Sequence, residues 1–229
     1  MSSITILLSA LPFESEIVRR LLKREKVVHG TSWVSGYLGR RTILLAASGV
    51  GGEQCSRVLT ALLDEYPDSE VLFLGTAGAL DPLIGIGDVI VANTSISWEL
   101  PEEKSIQKIF GATCPEHDSC GIKRGNDSSF CVFRGTVATM DEPVFDESVR
   151  SWLSTVSGAR CVDMETGHGA HLCKKRHIPF LAVRGISDIP DDEPHKYSHK
   201  VQAVWHATLV ALEALLSPVP VSVWPIEYL

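Results

Sequence analysis

The run EVLFLGTAGAL, Glu70 to Leu80, decides the fold. After its leading acid it is apolar at nearly every position rather than at every second one. A strand of that kind is covered on both faces, the habit of parallel sheets in α/β proteins. The same pattern recurs on either side: TILLSA (Thr5–Ala10), RTILLAASG (Arg41–Gly49), GDVIVANTSIS (Gly87–Ser97), GTVATMD (Gly135–Asp141) and FLAVRGIS (Phe180–Ser187). Between them lie segments with helical spacing. ESEIVRRLLKRE (Glu14–Glu25) puts Ile17, Val18, Leu21 and Leu22 on one face, and EQCSRVLTALLDEY (Glu53–Tyr66) repeats the pattern. Further helices are expected near Glu147–Ser157, after CVDMETG, and from about His195 to Leu216. The alternation predicts a single α/β domain over residues 1–217, with a central mixed, largely parallel sheet flanked by helices. Residues 99–134 lose the pattern and read as an irregular insertion. Residues 218–229 form a proline-broken apolar tail, expected to dock on its own or a partner subunit.

Composition narrows the partner class. The chain has 229 residues, 45% of them apolar, and a formal net charge of −7. An acidic surface is a poor match for nucleic-acid backbones or anionic membranes, so a small molecule is the expected partner. The apolar N-terminal run lacks a basic flank and breaks at Pro12 and Glu14, and it reads as a buried first strand rather than a signal peptide. No run is long enough for a spanning helix. Six cysteines are too few for a disulfide scaffold, and Cys55, Cys161 and Cys173 sit within apolar patterns, which fits a reducing cytoplasm.

Polar groups stand at the ends of several apolar strands, where ligands bind in open α/β sheets. They are Glu14, the GTAGAL stretch with Thr76, the DMET stretch Asp163–Thr166, and Arg184 with Asp188. Each also has an ordinary structural reading. Glu14 and Glu16 suit a first helical turn, the SGVGG loop (Ser48–Gly52) suits a tight strand-to-helix turn, Glu165 suits a cap, and Asp188 before Ile-Pro-Asp-Asp suits a turn. Singly, none decides between structure and chemistry.

In order and spacing, these stretches resemble the nucleoside phosphorylase and nucleosidase superfamily. The likeness is to the 5′-methylthioadenosine/S-adenosylhomocysteine nucleosidases and their futalosine hydrolase relatives. LLSALPFESE, SGVGGEQC, FLGTAGALDPLIGIGDVIVA and VDMETGHGAHLCKKRHIPFLAVRGISD carry the resemblance, which spans about residues 4–216. It implies scission of a purine N-glycosidic bond. That reaction builds positive charge on the sugar and negative charge on the departing base, so it needs an acid at the purine and acceptors around the ribose.

By the resemblance, Asp188 is the acid that protonates purine N7, oriented by Ser187. Burial or carboxylate neighbours, Asp191 and Asp192 among them, are expected to keep its proton on. Glu165 accepts from the ribose hydroxyls, Met164 packs against the sugar, Arg184 holds the nucleophile's side, and Glu14 activates a water. Thr76 stands where the nucleosidases usually have serine. The purine-stacking wall falls on Pro143, Val144 and Phe145, while Leu11, Tyr197 and the 99–134 segment are candidates for the pocket of the 5′-substituent. Phosphorylases of the superfamily carry an arginine before the glycine loop; the aligned position here is Phe73, which favours water over phosphate as nucleophile. Asp188 suits adenine, whereas Pro12, two residues before the acid, looks more like the futalosine hydrolases. A homodimer completing the 5′ pocket is implied, with no cofactor.

Other readings stay open at this point: a futalosine or aminofutalosine hydrolase of menaquinone biosynthesis, a phosphorylase, or a silent nucleoside-binding protein. Binding alone would not need both Glu14 and Asp188. CPEHDSC (Cys114–Cys120) and the helical spacing of His195, His199 and His206 offer metal-ligand types, but neither matches a common site and the chemistry needs no metal.

Overall fold

The computed structural model describes residues 4–98, 121–124, 129–189, 196–221 and 224. The elements run β1 (Ile4–Ser9), α1 (Pro12–Leu21), β2 (Lys23–Val27), β3 (Val34–Leu38), β4 (Arg41–Ala47), α2 (Gly52–Glu65), β5 (Glu70–Ala79), β6 (Val89–Trp98), β7 (Gly121–Arg124), β8 (Ser129–Met140), α3 (Glu147–Ser157), β9 (Cys161–Asp163), α4 (Thr166–Lys175), β10 (Phe180–Asp188) and α5 (Tyr197–Leu216).

The strands form one mixed sheet. Its centre is parallel, with β4, β1, β5 and β10 side by side, while antiparallel β3 and β2 extend one edge. Beyond β10 the sheet curls. β6 pairs with β10 and β8, β8 with β9, and β9 returns to β5, closing a ring of five strands. The expected α/β architecture is present; the closure was not foreseen, nor were β7 and the start of β8, which are strands within the 99–134 span that the sequence reads as irregular.

The continuous apolar runs have a simple cause: alternate residues feed two different layers. Leu7, Ile43, Leu45, Leu72 and Leu74 pack with Ala207, Val210, Ala211 and Ala214 of α5. Their neighbours Ile6, Leu8, Leu44, Val71 and Phe73 pack with Leu59, Leu62 and Leu63 of α2 and Cys173 of α4. Cys55 and Cys173 behave as small hydrophobes in this second layer, and burial pushes both thiols up to about 12.

The first helix is shorter than its periodicity suggests. It ends at Leu21, Leu22 turns extended, and Lys23–Val27 becomes a fully exposed edge strand, which its charges suit. The start of the tail docks on its own chain. Glu70, 3% exposed, accepts from Thr5 Oγ1 (2.7 Å) and from the Val221 N–H (2.9 Å), and it pairs with Arg41, whose guanidinium also donates to the Ser217 and Val219 carbonyls. Trp224 is buried in the α5 layer.

Removing one partner of a buried pair leaves the other charge uncompensated, so Glu70→Ala is expected to cost about 3–5 kcal/mol of unfolding free energy. Urea titration checks it, and an unchanged midpoint contradicts the clamp.

Candidate active site

A cavity of about 310 Å³ opens where the carboxyl ends of β1, β5 and β10 meet α1, the end of β9 and the loop before α3. Leu11, Glu14, Thr76, Val144, Phe145, Met164, Glu165, Arg184, Ser187 and Asp188 all line it. Ten of the eleven site residues expected from the sequence therefore converge on one space.

Tyr197 is the exception. It is 80% exposed in the first turn of α5 and lies outside the cavity wall. Lys200, three residues on and so on a neighbouring part of the same helix, lines the cavity instead. Tyr197 shares an outward stripe with Val201 and Trp205, which are 45% and 48% exposed. Asp191, Asp192, the CPEHDSC stretch and His195 lie outside the described residues. His206 is built into the fold, its Nδ1 2.6 Å from the Gly87 carbonyl oxygen and its ring stacked on Phe130 at 4.0 Å.

Glu14 serves both the helix and the cavity. One oxygen accepts from the Leu11 N–H at 2.8 Å, satisfying a donor at the start of α1, and the other accepts from the Thr76 N–H at 3.2 Å. Burial pushes its carboxyl above the ordinary carboxylate value, against the pull of the Leu11 N–H and the Arg184 charge.

Arg184, 1% exposed, is the largest fully buried side chain among the described residues. Its Nε lies 2.9 Å from both Asp163 Oδ2 and Thr166 Oγ1, and its guanidinium carbon lies 4.1 Å from the centroid of the Phe73 ring. Gly75 makes this possible, since a Cβ there would collide with Arg184 Nη1. Nη2 is buried and has no hydrogen-bond partner among the described residues. Asp163, a cavity residue that sequence reasoning quoted but did not assign, anchors this arginine and is itself held by Thr139 Oγ1 (2.6 Å) and the Thr166 N–H.

Glu165 accepts from the Gly51 N–H at 2.7 Å, so the glycine loop supplies a donor to a side chain from the far side of the chain. Burial and the neighbouring Asp163 charge raise its carboxyl to about 7, while Arg184 and the Gly51 N–H oppose the rise.

At the other end, β10 carries an irregularity in its pairing with β5 between Ile186 and Asp188, which brings Asp188 opposite Gly78. Such bulges re-aim side chains. Ser187 Oγ donates to Asp188 Oδ2 at 2.9 Å, the orientation expected from the sequence. The other partner was not foreseen: Arg150 of α3 forms an ion pair with Asp188 Oδ1. The described groups that bond Asp188 are thus donors. An arginine in an amphipathic helix ordinarily reads as part of a solvated face, and only its spacing from Leu153, the other buried side chain of α3, hints otherwise.

A family model described as the phosphorylase superfamily matches residues 5–216, and the chain belongs to that family. Among curated relatives, the 5′-methylthioadenosine/S-adenosylhomocysteine nucleosidase of Bacillus subtilis is 26% identical over 226 residues, covering 91% of this chain and 96% of its own. The enzyme of that name from Mycobacterium tuberculosis is 26% identical over 216 residues, covering 79% of this chain and 83% of its own. The fold is also that of solved structures. A Colwellia psychrerythraea nucleosidase of the same type in complex with adenine has a TM-score of 0.77 at 18% identity, covering 94% of this chain and 95% of that one. The futalosine hydrolase of Helicobacter pylori has a TM-score of 0.73 at 20% identity, covering 94% and 97%.

The raised Glu165 carboxyl has a measurable sign. The folded site holds its proton up to about 7, whereas the unfolded chain releases it near the ordinary value of 4.5. Between those values the folded state binds more protons, so this group's contribution to stability falls as pH rises. Glu165→Gln should therefore gain stability relative to the parent between about pH 5 and pH 8. Urea unfolding across that range tests it, and parallel curves contradict it.

Proposed function

We propose that the protein hydrolyses the N-glycosidic bond of a 5′-modified adenosine, of the methylthioadenosine or S-adenosylhomocysteine type, releasing adenine. The observation that carries this reading is that Glu14, from the first helix, and Asp188, from the last strand, open onto one cavity with Glu165 and Arg184 beside them. The names of the curated relatives point the same way.

In this mechanism the C1′–N9 bond breaks and its electrons leave with the purine, whose N7 takes the proton of Asp188. Water adds to C1′ and passes a proton to Glu14, a buried carboxylate with a raised proton affinity, as a general base requires. The buried Nη2 donor of Arg184 is available to the water oxygen. Glu165 accepts from the ribose hydroxyls, and its charge favours the cationic sugar. Met164 packs on the sugar, Thr76 and Ser187 orient the two acids, and Val144 and Phe145 wall the purine.

Water is favoured over phosphate because the guanidinium of Arg184 is already engaged by Asp163 and lies over Phe73, with Glu14 close by; a phosphate would meet that carboxylate. Leu11, Phe13, Val50 and Phe145 are 39–50% exposed, and the first, third and fourth line the cavity; these apolar groups suit a second copy that completes the 5′ pocket. A homodimer in the cytoplasm fits this reading. Among the described residues, no helix is long and apolar enough to cross a membrane. Pro12, which opens α1 two residues before Glu14, keeps futalosine or aminofutalosine hydrolysis as a second reading.

The test is product analysis in phosphate-free buffer with methylthioadenosine, S-adenosylhomocysteine, aminofutalosine and futalosine. Adenine and the free sugar should appear from the first two at a rate that added phosphate does not change. Release that requires phosphate and yields a sugar 1-phosphate would overturn hydrolysis, and turnover confined to the futalosines would select the second reading. Asp188→Asn should lower kcat by about 100-fold or more, and Glu14→Gln should lower kcat far more than it raises KM. Near-parental rates in either variant contradict its role.

A further inference from the structure

Arg150 has no part in the scheme above, yet it is 3% exposed and lines the cavity at the purine end. Each of its three nitrogens is committed to a different wall. Nε donates to the Val144 carbonyl at 2.9 Å, on the loop that borders the purine space. Nη1 donates to the Ala79 carbonyl at 3.3 Å, at the end of β5. Nη2 holds Asp188 Oδ1 at the end of β10. Gly78 leaves room for the pair, since a Cβ there would lie 2.7 Å from Asp188 Oδ1 and 3.1 Å from Arg150 Nη2. A buried guanidinium is costly unless it is paired and hydrogen-bonded, and this placement pairs it with the carboxyl group the reaction uses and gives each nitrogen an acceptor.

We infer that Arg150 is the positioning residue of the leaving-group acid. The inference rests on Asp188 being that acid. Guanidinium nitrogens only donate and favour the unprotonated oxygen, so Arg150 on Oδ1 leaves the transferable proton to Oδ2, where the Ser187 hydroxyl can accept as well as donate and has the Ala77 carbonyl as a second acceptor at 3.4 Å. Once the proton has passed to the purine, the resulting carboxylate is already paired, so Arg150 stabilises the charge that develops on the acid as the bond breaks. A carboxyl oxygen has two lone pairs, and the one on Oδ1 that Arg150 leaves open can accept from an exocyclic amine, which is compatible with adenine. The contact with Val144 ties the position of this acid to the purine wall, so base placement and proton delivery depend on one side chain.

The test is a double-substitution cycle of Arg150→Met and Asp188→Asn, read as the single-turnover rate of methylthioadenosine cleavage at saturating enzyme, with adenine affinity measured in parallel. Arg150→Met alone should slow cleavage about 10- to 100-fold. Adenine affinity should change much less. In the Asp188→Asn background the same substitution should cost no more than about twofold, because a residue that acts through the acid has nothing left to act on. Arg150→Lys, which keeps the cation without the fork, should recover part of the rate, and with Arg150→Gln it carries the cycle if the methionine variant does not fold. Arg150 variants at parental rates, or losses equal in both backgrounds, overturn the inference. A parental rate in Asp188→Asn alone would instead remove the acid assignment on which it rests.

Discussion

A guanidinium placed in the interior must be neutralised where it stands, and the site is arranged around the way Arg184 meets that demand. At 1% exposure, it is held by Asp163 and Thr166, lies over Phe73 and acts on Glu14. These partners come from β9, the start of α4, β5 and α1. The pairing that closes β9 onto β5 therefore also brings Asp163 to its arginine. The absence of a side chain at Gly75 gives the charge its passage across β5.

Carboxyl groups outnumber the cation they surround. Asp163, Glu165 and Glu14 share the field of Arg184; the first is fully bonded, and the other two carry raised carboxyls. A site of this kind disfavours a further anion and favours a transient positive charge, which suits a sugar losing its base to water. At the other end the balance is reversed, with Asp188 between two donors. The two ends thus differ, with acceptors gathered at one and donors at the other, and the proposed chemistry uses that polarity, placing the sugar at the first and the acid at the second.

Much of this was legible in the sequence, for physical reasons that also mark where legibility stopped. β1, β4, β5 and β10 announce themselves because both of their faces are buried, and polar residues that interrupt such runs at the strand ends stand out. Glu14, Thr76, Glu165, Arg184 and Asp188 were found that way, with the family resemblance supplying roles. β2 was invisible because KREKV is exposed at all five positions and reads as the continuation of a charged helix. β9 has three residues, too few for any periodicity. The ring closure depends on pairings between strands far apart in the chain. Arg150 was missed because its significance lies wholly in where Asp188 and Val144 come to rest. Tyr197 lies outside the cavity wall because the helix turns Lys200 to the cavity instead, which an aromatic side chain at this position in the sequence does not reveal.

The central claim is that one ligand lies between two acids from opposite ends of the chain. A crystal structure of the protein with a non-hydrolysable methylthioadenosine analogue tests it most directly. The account predicts purine N7 at about 3 Å from a carboxyl oxygen of Asp188. It also predicts the ribose hydroxyls on Glu165 and a water bridging C1′ and Glu14. A purine seated against Glu14, or a ligand bound outside the cavity these residues line, would contradict it.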